Sequence, residues 1–180
     1  YSYDTGFGDG QGFQLPREVA QAFIGAGGHG PVLDVGAGTG LVAEQFKPLG
    51  IGPIDGVDLS ADMLGVAKMK GIYRDLIEAD VTKPLPQNPQ YAGIVSAGTF
   101  TLGHVGPAGI VPLLDAAESG AQLVISVNAK HYESAGFAAE LEALADRIQC
   151  LTLKDVRIYD DRAISKHRYD MARLLIFKKV

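Results

Sequence analysis

The chain has 180 residues, 47% of them hydrophobic, and a formal net charge of −5. This length supports one sizeable core without requiring a second domain, and the acidic balance offers no overall attraction to nucleic-acid backbones or anionic membranes. A single cysteine excludes an intramolecular disulfide framework and a cysteine-rich zinc site, and no segment reaches the roughly eighteen uninterrupted apolar residues of a membrane span.

Residues 1–14, YSYDTGFGDGQGFQ, mix glycines and aromatics without a period and read as a flexible arm in position to fold over a ligand. A helix follows from Pro16, with Val19, Ala22 and Phe23 on one face, and stops in Gly25-Ala26-Gly27-Gly28. Residues 31–35 form a first buried strand, and the helix after Gly40 carries Val42, Phe46 and Leu49 before ending near Pro48 and Gly50. Residues 54–59 form a second strand. Ser60 caps the next helix, with Asp62 in its first turn, with Met63, Leu64 and Ala67 inward and with Gly71 at its end.

A third strand spans 73–79 and leaves through the proline-rich TKPLPQNP. Strand 91–96, helix 107–119, strand 121–128 and helix 136–147 follow, the last with Phe137, Leu141 and Leu144 on one face. Cys150, beside the apolar run 151–153, is expected to be a small buried side chain. The runs 150–159 and 169–177 flank the charged turn DDRAISKH and read as an antiparallel hairpin. Lys166, His167 and Arg168, the one basic cluster, read as a solvated part of that turn. The repeated alternation of strand and helix predicts an α/β fold, a doubly wound and mostly parallel sheet between two helical layers. Functional residues in such sheets follow the carboxyl ends of the strands.

The stretch VLDVGAGTG, residues 32–40, sits at the first such end. Gly36, Gly38 and Gly40 give G-x-G-x-G, but Leu41 stands where a dinucleotide fingerprint has its third glycine, and no Gly-Lys-Ser or Gly-Lys-Thr completes a phosphate loop. A nucleotide-like ligand without phosphates fits better.

VLDVGAGTG resembles motif I of the class I S-adenosylmethionine-dependent methyltransferases. In that family the loop, here Gly36, Ala37, Gly38, Thr39 and Gly40, lies against the methionine part of the cofactor. The resemblance implies that Asp58, in GVDLSADML, accepts both ribose hydroxyls, for which a carboxylate has the acceptors. It also implies that Leu59 and Met63 pack on the adenine, and that Asp80 and Val81, in EADVT, meet the adenine edge. Asp34 is expected to fix the loop or to contact the cofactor's ammonium. The terminal hairpin agrees with the family's antiparallel seventh strand, giving seven strands in the order 3-2-1-4-5-7-6. GIYRDLIEADVTKPLP, YAGIVSAGTFTLGHVGP and VISVNAKHYESAGF together are similar to the methyltransferase-like 27 (Williams-Beuren region 27) group and its bacterial relatives. Two departures stand out: Glu118-Ser119-Gly120-Ala121 replaces the usual Lys-Pro-Gly-Gly, and the glycine-rich arm lacks a clear counterpart of the usual Tyr-Asp lid, with Tyr3-Asp4 as the candidate remnant. The arm and first helix, 1–30, then form a lid segment on a methyltransferase domain at 31–180.

Methyl transfer to oxygen or nitrogen needs alignment of the acceptor and, where the acceptor carries a proton, a base. Ser96 and Gly98, after strand 91–96, are expected at the cofactor's amino-acid end. Thr99, Phe100 and His104 are expected to face the acceptor, with His104 as candidate general base. His131, Tyr132 and Tyr3 are expected to contact the acceptor. His29 precedes the first strand, at the wrong end of the sheet, and His167 lies in the hairpin turn. No Asn-Pro-Pro-Tyr, Asp-Pro-Pro-Tyr or Pro-Cys is present, which removes amino-group methylation by the first two motifs and cytosine methylation through a cysteine adduct. The expected partner is a small-molecule acceptor, with no nucleic acid, no membrane, no metal and a cytoplasmic setting. A non-catalytic cofactor-binding protein is the alternative, and a nicotinamide-dependent oxidoreductase is disfavoured by Leu41.

Overall fold

Strands buried on both faces need apolar residues at successive positions rather than alternate ones, and Val32, Leu33 and Val35 or Leu123, Val124 and Ile125 satisfy this with exposures of 2% or less. A computed structural model of the chain describes residues 12–85, 90–163 and 169–180. Tyr3, Asp4 and the Lys166-His167-Arg168 cluster lie outside the described residues.

Helix α1 (Leu15–Gly25) leads to β1 (Val32–Val35), α2 (Leu41–Phe46), β2 (Ile54–Asp58), α3 (Ala61–Met69) and β3 (Asp75–Glu78). Then come β4 (Tyr91–Phe100), α4 (Ile110–Ala116), β5 (Ala117–Asn128), α5 (Ala129–Ala135), α6 (Phe137–Ala143), β6 (Ile148–Arg157) and β7 (Met171–Lys179). The seven strands form one sheet in the order β3-β2-β1-β4-β5-β7-β6. All neighbours pair parallel except β7, which is antiparallel to both β5 and β6. This is the architecture of the Rossmann-like methyltransferase fold.

Side chains alternate between two packed layers. Val32, Val95, Val124 and Leu174 pack on α1 and α2, where Phe23 and Phe46 meet with ring centroids 5.4 Å apart. Leu33, Ile94, Ile125 and Leu175 pack in the other layer with Leu113, Phe137 and Leu141.

Several boundaries differ from the sequence expectation. β4 continues past Ser96 to Phe100, with a register shift against β5 between those residues, so Gly98 and Thr99 belong to an irregular strand end rather than a loop. α4 stops at Ala116 because β5 begins at Ala117, and Glu118-Ser119-Gly120 lies in the strand. An additional helix, α5, follows β5 directly, capped by Asn128, whose Oδ1 accepts from the amides of Lys130 (3.0 Å) and His131 (3.2 Å). Cys150 is exposed, not buried: it takes φ +57° where β6 shifts register against β7, on a strand that forms the sheet's edge.

At the amino end of β2, Asp55 is 2% exposed and receives the Arg74 Nε (2.9 Å) and Nη2 (2.5 Å) and the Tyr91 hydroxyl (2.9 Å). Burial alone would raise its pKa, but the Arg74 fork and the Tyr91 hydroxyl outweigh burial and hold it below the ordinary carboxylate value. A depressed carboxyl contributes stability above its unfolded pKa and loses it as pH falls through the folded value. Arg74→Met is expected to cost roughly 2 kcal/mol at neutral pH, less than the usual loss for a fully buried pair because the guanidinium is partly solvated. Urea titrations at neutral and acid pH check this: the difference from the parent should shrink on acidification.

Candidate active site

Parallel sheets place ligands where strand order reverses, outside the strands' carboxyl ends. Here that point lies between β1 and β4, whose chains leave to opposite sides. A cavity of about 700 Å³ opens there, in the size range of small-molecule sites.

One side of the cavity is the glycine turn. The amides of Gly36 (2.8 Å) and Ala37 (3.0 Å) donate to the Val57 carbonyl, which folds the turn over the end of β2. Gly36 has φ +68°, and a Cβ there would overlap Thr99; Gly40 has φ +93°, with its Cβ position 3.0 Å from the Tyr73 ring. Both positions therefore require glycine for conformation and space together. The Gly38 amide donates to Asp58 Oδ2 (2.8 Å) and the Ser60 amide to Asp58 Oδ1 (2.9 Å). Each carboxylate oxygen thus retains acceptor capacity, and Asp58 lines the cavity beside Leu59 and Met63.

Asp80, Val81 and Thr82 continue this side from the end of β3. The Thr82 hydroxyl (2.6 Å) and amide (3.0 Å) hold Asp80 below the usual carboxylate range, with a further contribution from Lys83.

Asp34 is buried beneath the turn and does not line the cavity. The Tyr73 hydroxyl donates to its Oδ2 (2.7 Å), while Oδ1 has no hydrogen-bond partner among the described residues. Burial pushes its pKa up to about 7, opposed by the Tyr73 hydrogen bond and reinforced by Asp58. Ser96 is also buried away from the cavity, its hydroxyl donating to the Val35 carbonyl (2.8 Å) at the crossing of β1 and β4. Gly98 lines the cavity and donates its amide to Ser126 Oγ (3.0 Å).

Beyond β4, Thr99 faces the cavity and donates to the Val35 carbonyl (3.2 Å), whereas Phe100 is wholly in the core. His104 lines the cavity, exposed, with Nδ1 2.8 Å from Thr101 Oγ1. His131 and Tyr132 do not reach it. Helix α5 buries both against Phe137, and Arg173 lies over the Tyr132 ring at 4.7 Å. His131 Nε2 lies 3.0 Å from the Val105 carbonyl, which can only accept, so His131 anchors the loop that carries His104. His29 is exposed beside its own neighbour Gly30.

The cavity also has a wall that reading each strand forward does not indicate: Phe13, Leu15 and Pro16 before and in α1, and Ile158, Tyr159, Asp170 and Ala172 from the hairpin. β7 runs antiparallel, so its beginning rather than its end lies here, opposite Asn128 of β5.

The arrangement fits S-adenosylmethionine. A carboxylate with spare acceptors stands beside a glycine cradle that side chains would fill, over an orphaned acidic oxygen suited to a cation.

Comparison with known proteins agrees. Residues 32–120 match the model of a methyltransferase domain. The chain is similar to human methyltransferase-like protein 27, with 31% identity over 134 residues, covering 73% of this chain and 54% of that protein. It thus spans about half the length of that curated relative. Among solved structures, a Thermoplasma acidophilum protein superposes with TM-score 0.70 at 19% identity, covering 94% of this chain and 89% of its own. A Clostridium acetobutylicum S-adenosylmethionine-dependent methyltransferase superposes with TM-score 0.66 at 14% identity, covering 98% and 96%. At those identities the structures speak for the fold, and the domain match and the human relative speak for the lineage. With the glycine turn, the strand-end acids and the seven-stranded topology in place, the chain has the fold of the class I S-adenosylmethionine-dependent methyltransferases and carries a methyltransferase domain at residues 32–120.

Proposed function

We propose that the protein transfers the methyl group of S-adenosylmethionine to an oxygen or nitrogen of a small-molecule acceptor. The observation that carries this reading is one continuous cavity lined by the glycine turn and Asp58 and also by His104. When bound, the cofactor supplies a methyl group already activated by its positively charged sulfur.

The chain's own residues bind and align. In this reading Asp58 accepts from both ribose hydroxyls, and Leu59 and Met63 cover the adenine, whose amino group meets Asp80. Gly36 to Gly40 follow the methionine part, with Asp34 beneath it as counter-charge to the ammonium. Thr99 borders the acceptor, Phe100 backs the wall from the core, and Ser96 holds β1 to β4. With Thr101 accepting from Nδ1, the His104 Nε2 is free to take the acceptor's proton.

Calorimetric titration with S-adenosylmethionine, S-adenosylhomocysteine and NAD in parallel tests the cofactor assignment, which requires that only the adenosyl pair binds. His104→Ala then tests the enzyme reading: turnover should fall roughly 100-fold, as for loss of a general base, with S-adenosylmethionine affinity unchanged. Unchanged turnover removes His104 from catalysis. Cofactor binding without turnover on any acceptor favours the non-catalytic alternative.

A further inference from the structure

Three distant parts of the chain meet on one wall of the cavity. The Gln14 amide donates to the Ile158 carbonyl (3.0 Å) and the Asp160 amide to the Gly12 carbonyl (2.8 Å), with Phe13 and Tyr159 bridged between them. The segment preceding α1 is therefore stitched to the hairpin as a short antiparallel ladder. This sets the Phe13 and Tyr159 rings 5.7 Å apart at 47°, both facing the cavity. Phe13 also approaches the strand end, its Cζ lying 3.9 Å from the place of a Cβ on Gly98. Leu15, Pro16, Ile158 and Ala172 extend the apolar surface around the pair.

Among the described residues, the charge on the cavity is of one sign: its formally charged lining side chains are Asp58, Asp80 and Asp170. Lys130 binds Asp170 Oδ1 at 3.0 Å but does not itself line the cavity. An acceptor bearing a carboxylate or phosphate would bring like charge into a partly desolvated site, where repulsion is stronger than in water. A flat uncharged ring instead gains from burial and from edge or offset contact with two aromatic side chains.

We propose that this wall is the acceptor subsite and that it takes an uncharged aromatic ring bearing the hydroxyl or amine to be methylated, with Phe13 and Tyr159 as its selecting contacts. The inference rests on the cofactor lying along the glycine turn, as in the proposed function.

The test saturates the full chain with S-adenosylhomocysteine and then titrates naphthol and naphthoate by calorimetry, near neutral pH where the first is uncharged and the second anionic. Naphthol should bind at least about tenfold tighter than naphthoate. Tyr159→Arg, which places a guanidinium at the same point, should strengthen naphthoate binding by about tenfold and leave S-adenosylhomocysteine affinity as it was. A gain of binding cannot arise from misfolding. Should that variant not fold, Tyr159→Leu must weaken naphthol severalfold with S-adenosylhomocysteine affinity kept. Failure of the parent to bind S-adenosylhomocysteine overturns this inference together with the proposed function. Normal S-adenosylhomocysteine binding with no preference for naphthol, or with no response to the Tyr159 variants, overturns this inference alone.

Discussion

On the proposed placement of the ribose, Asp58→Ala is expected to weaken S-adenosylhomocysteine binding by more than about 100-fold, because two hydrogen bonds to a charged acceptor are lost together and each is worth roughly 1.5–3 kcal/mol. The carboxylate has a second duty, since it accepts from the Gly38 and Ser60 amides and so braces the turn. The two effects separate with a ligand that lacks one ribose hydroxyl. On the parent protein, the deoxy analogue should bind about tenfold more weakly than S-adenosylhomocysteine. On Asp58→Ala the two ligands should bind alike, because the acceptor that told them apart is gone. If the analogue loses as much on the variant as on the parent, Asp58 acts through the turn alone. Asp58→Asn, which keeps the shape but loses the charge and one acceptor, should fall between parent and alanine variant.

Asp58 and Asp80 were singled out by the resemblance of their motifs, and the sheet gives the physical reason why they line one cavity with the glycine turn: parallel strands all end at one side, so residues after successive strands are neighbours. The strand-end logic also placed Gly98 and His104 at the cavity. It failed where the chain reverses. β7 enters the site at its beginning, so Asp170 just precedes the strand and Ala172 is its second residue, and Tyr159 follows an edge strand that reads as remote. Phe13 was hidden in a glycine-rich arm without a period. Its place depends on backbone pairing with residues far along the chain, which no local pattern encodes. His131 and Tyr132 were misplaced because a helix begins immediately at Asn128; it turns both toward Phe137, where a loop would have left them beside the cavity. Cys150 escaped its expected burial because it lies on the uncovered edge strand, where every residue from Gln149 to Asp155 is exposed.

Asp34→Asn should show opposite effects on stability and binding, and pH separates them. The parent carboxyl has its pKa raised from 3.8 to about 7, chiefly by burial. A raised carboxyl contributes stability that is complete below its unfolded pKa and is lost as pH rises through the folded value, an effect of up to roughly 4 kcal/mol for a shift of this size. Urea midpoints of the parent should therefore decline from about pH 4 to somewhat above pH 7, and those of Asp34→Asn should lack that part of the slope. The neutral amide retains a partner for the Tyr73 hydroxyl, so the variant should be the more stable protein at alkaline pH. Cofactor affinity should move the other way. An ammonium laid on the turn favours the ionised carboxyl beneath it, so parent affinity should rise as pH passes through about 7 and binding should release a proton below that pH. The amide has no charge to offer, and its affinity should be about tenfold weaker above pH 7 and nearly free of this dependence. Calorimetry in two buffers of different ionisation enthalpy reads the proton directly. Equal proton release by parent and variant would place the ammonium elsewhere and leave Asp34 with a structural role under the turn. Unequal release, together with the stability gain, would mean that the protein accepts a strained acid in its unliganded state because the cation of its cofactor relieves it.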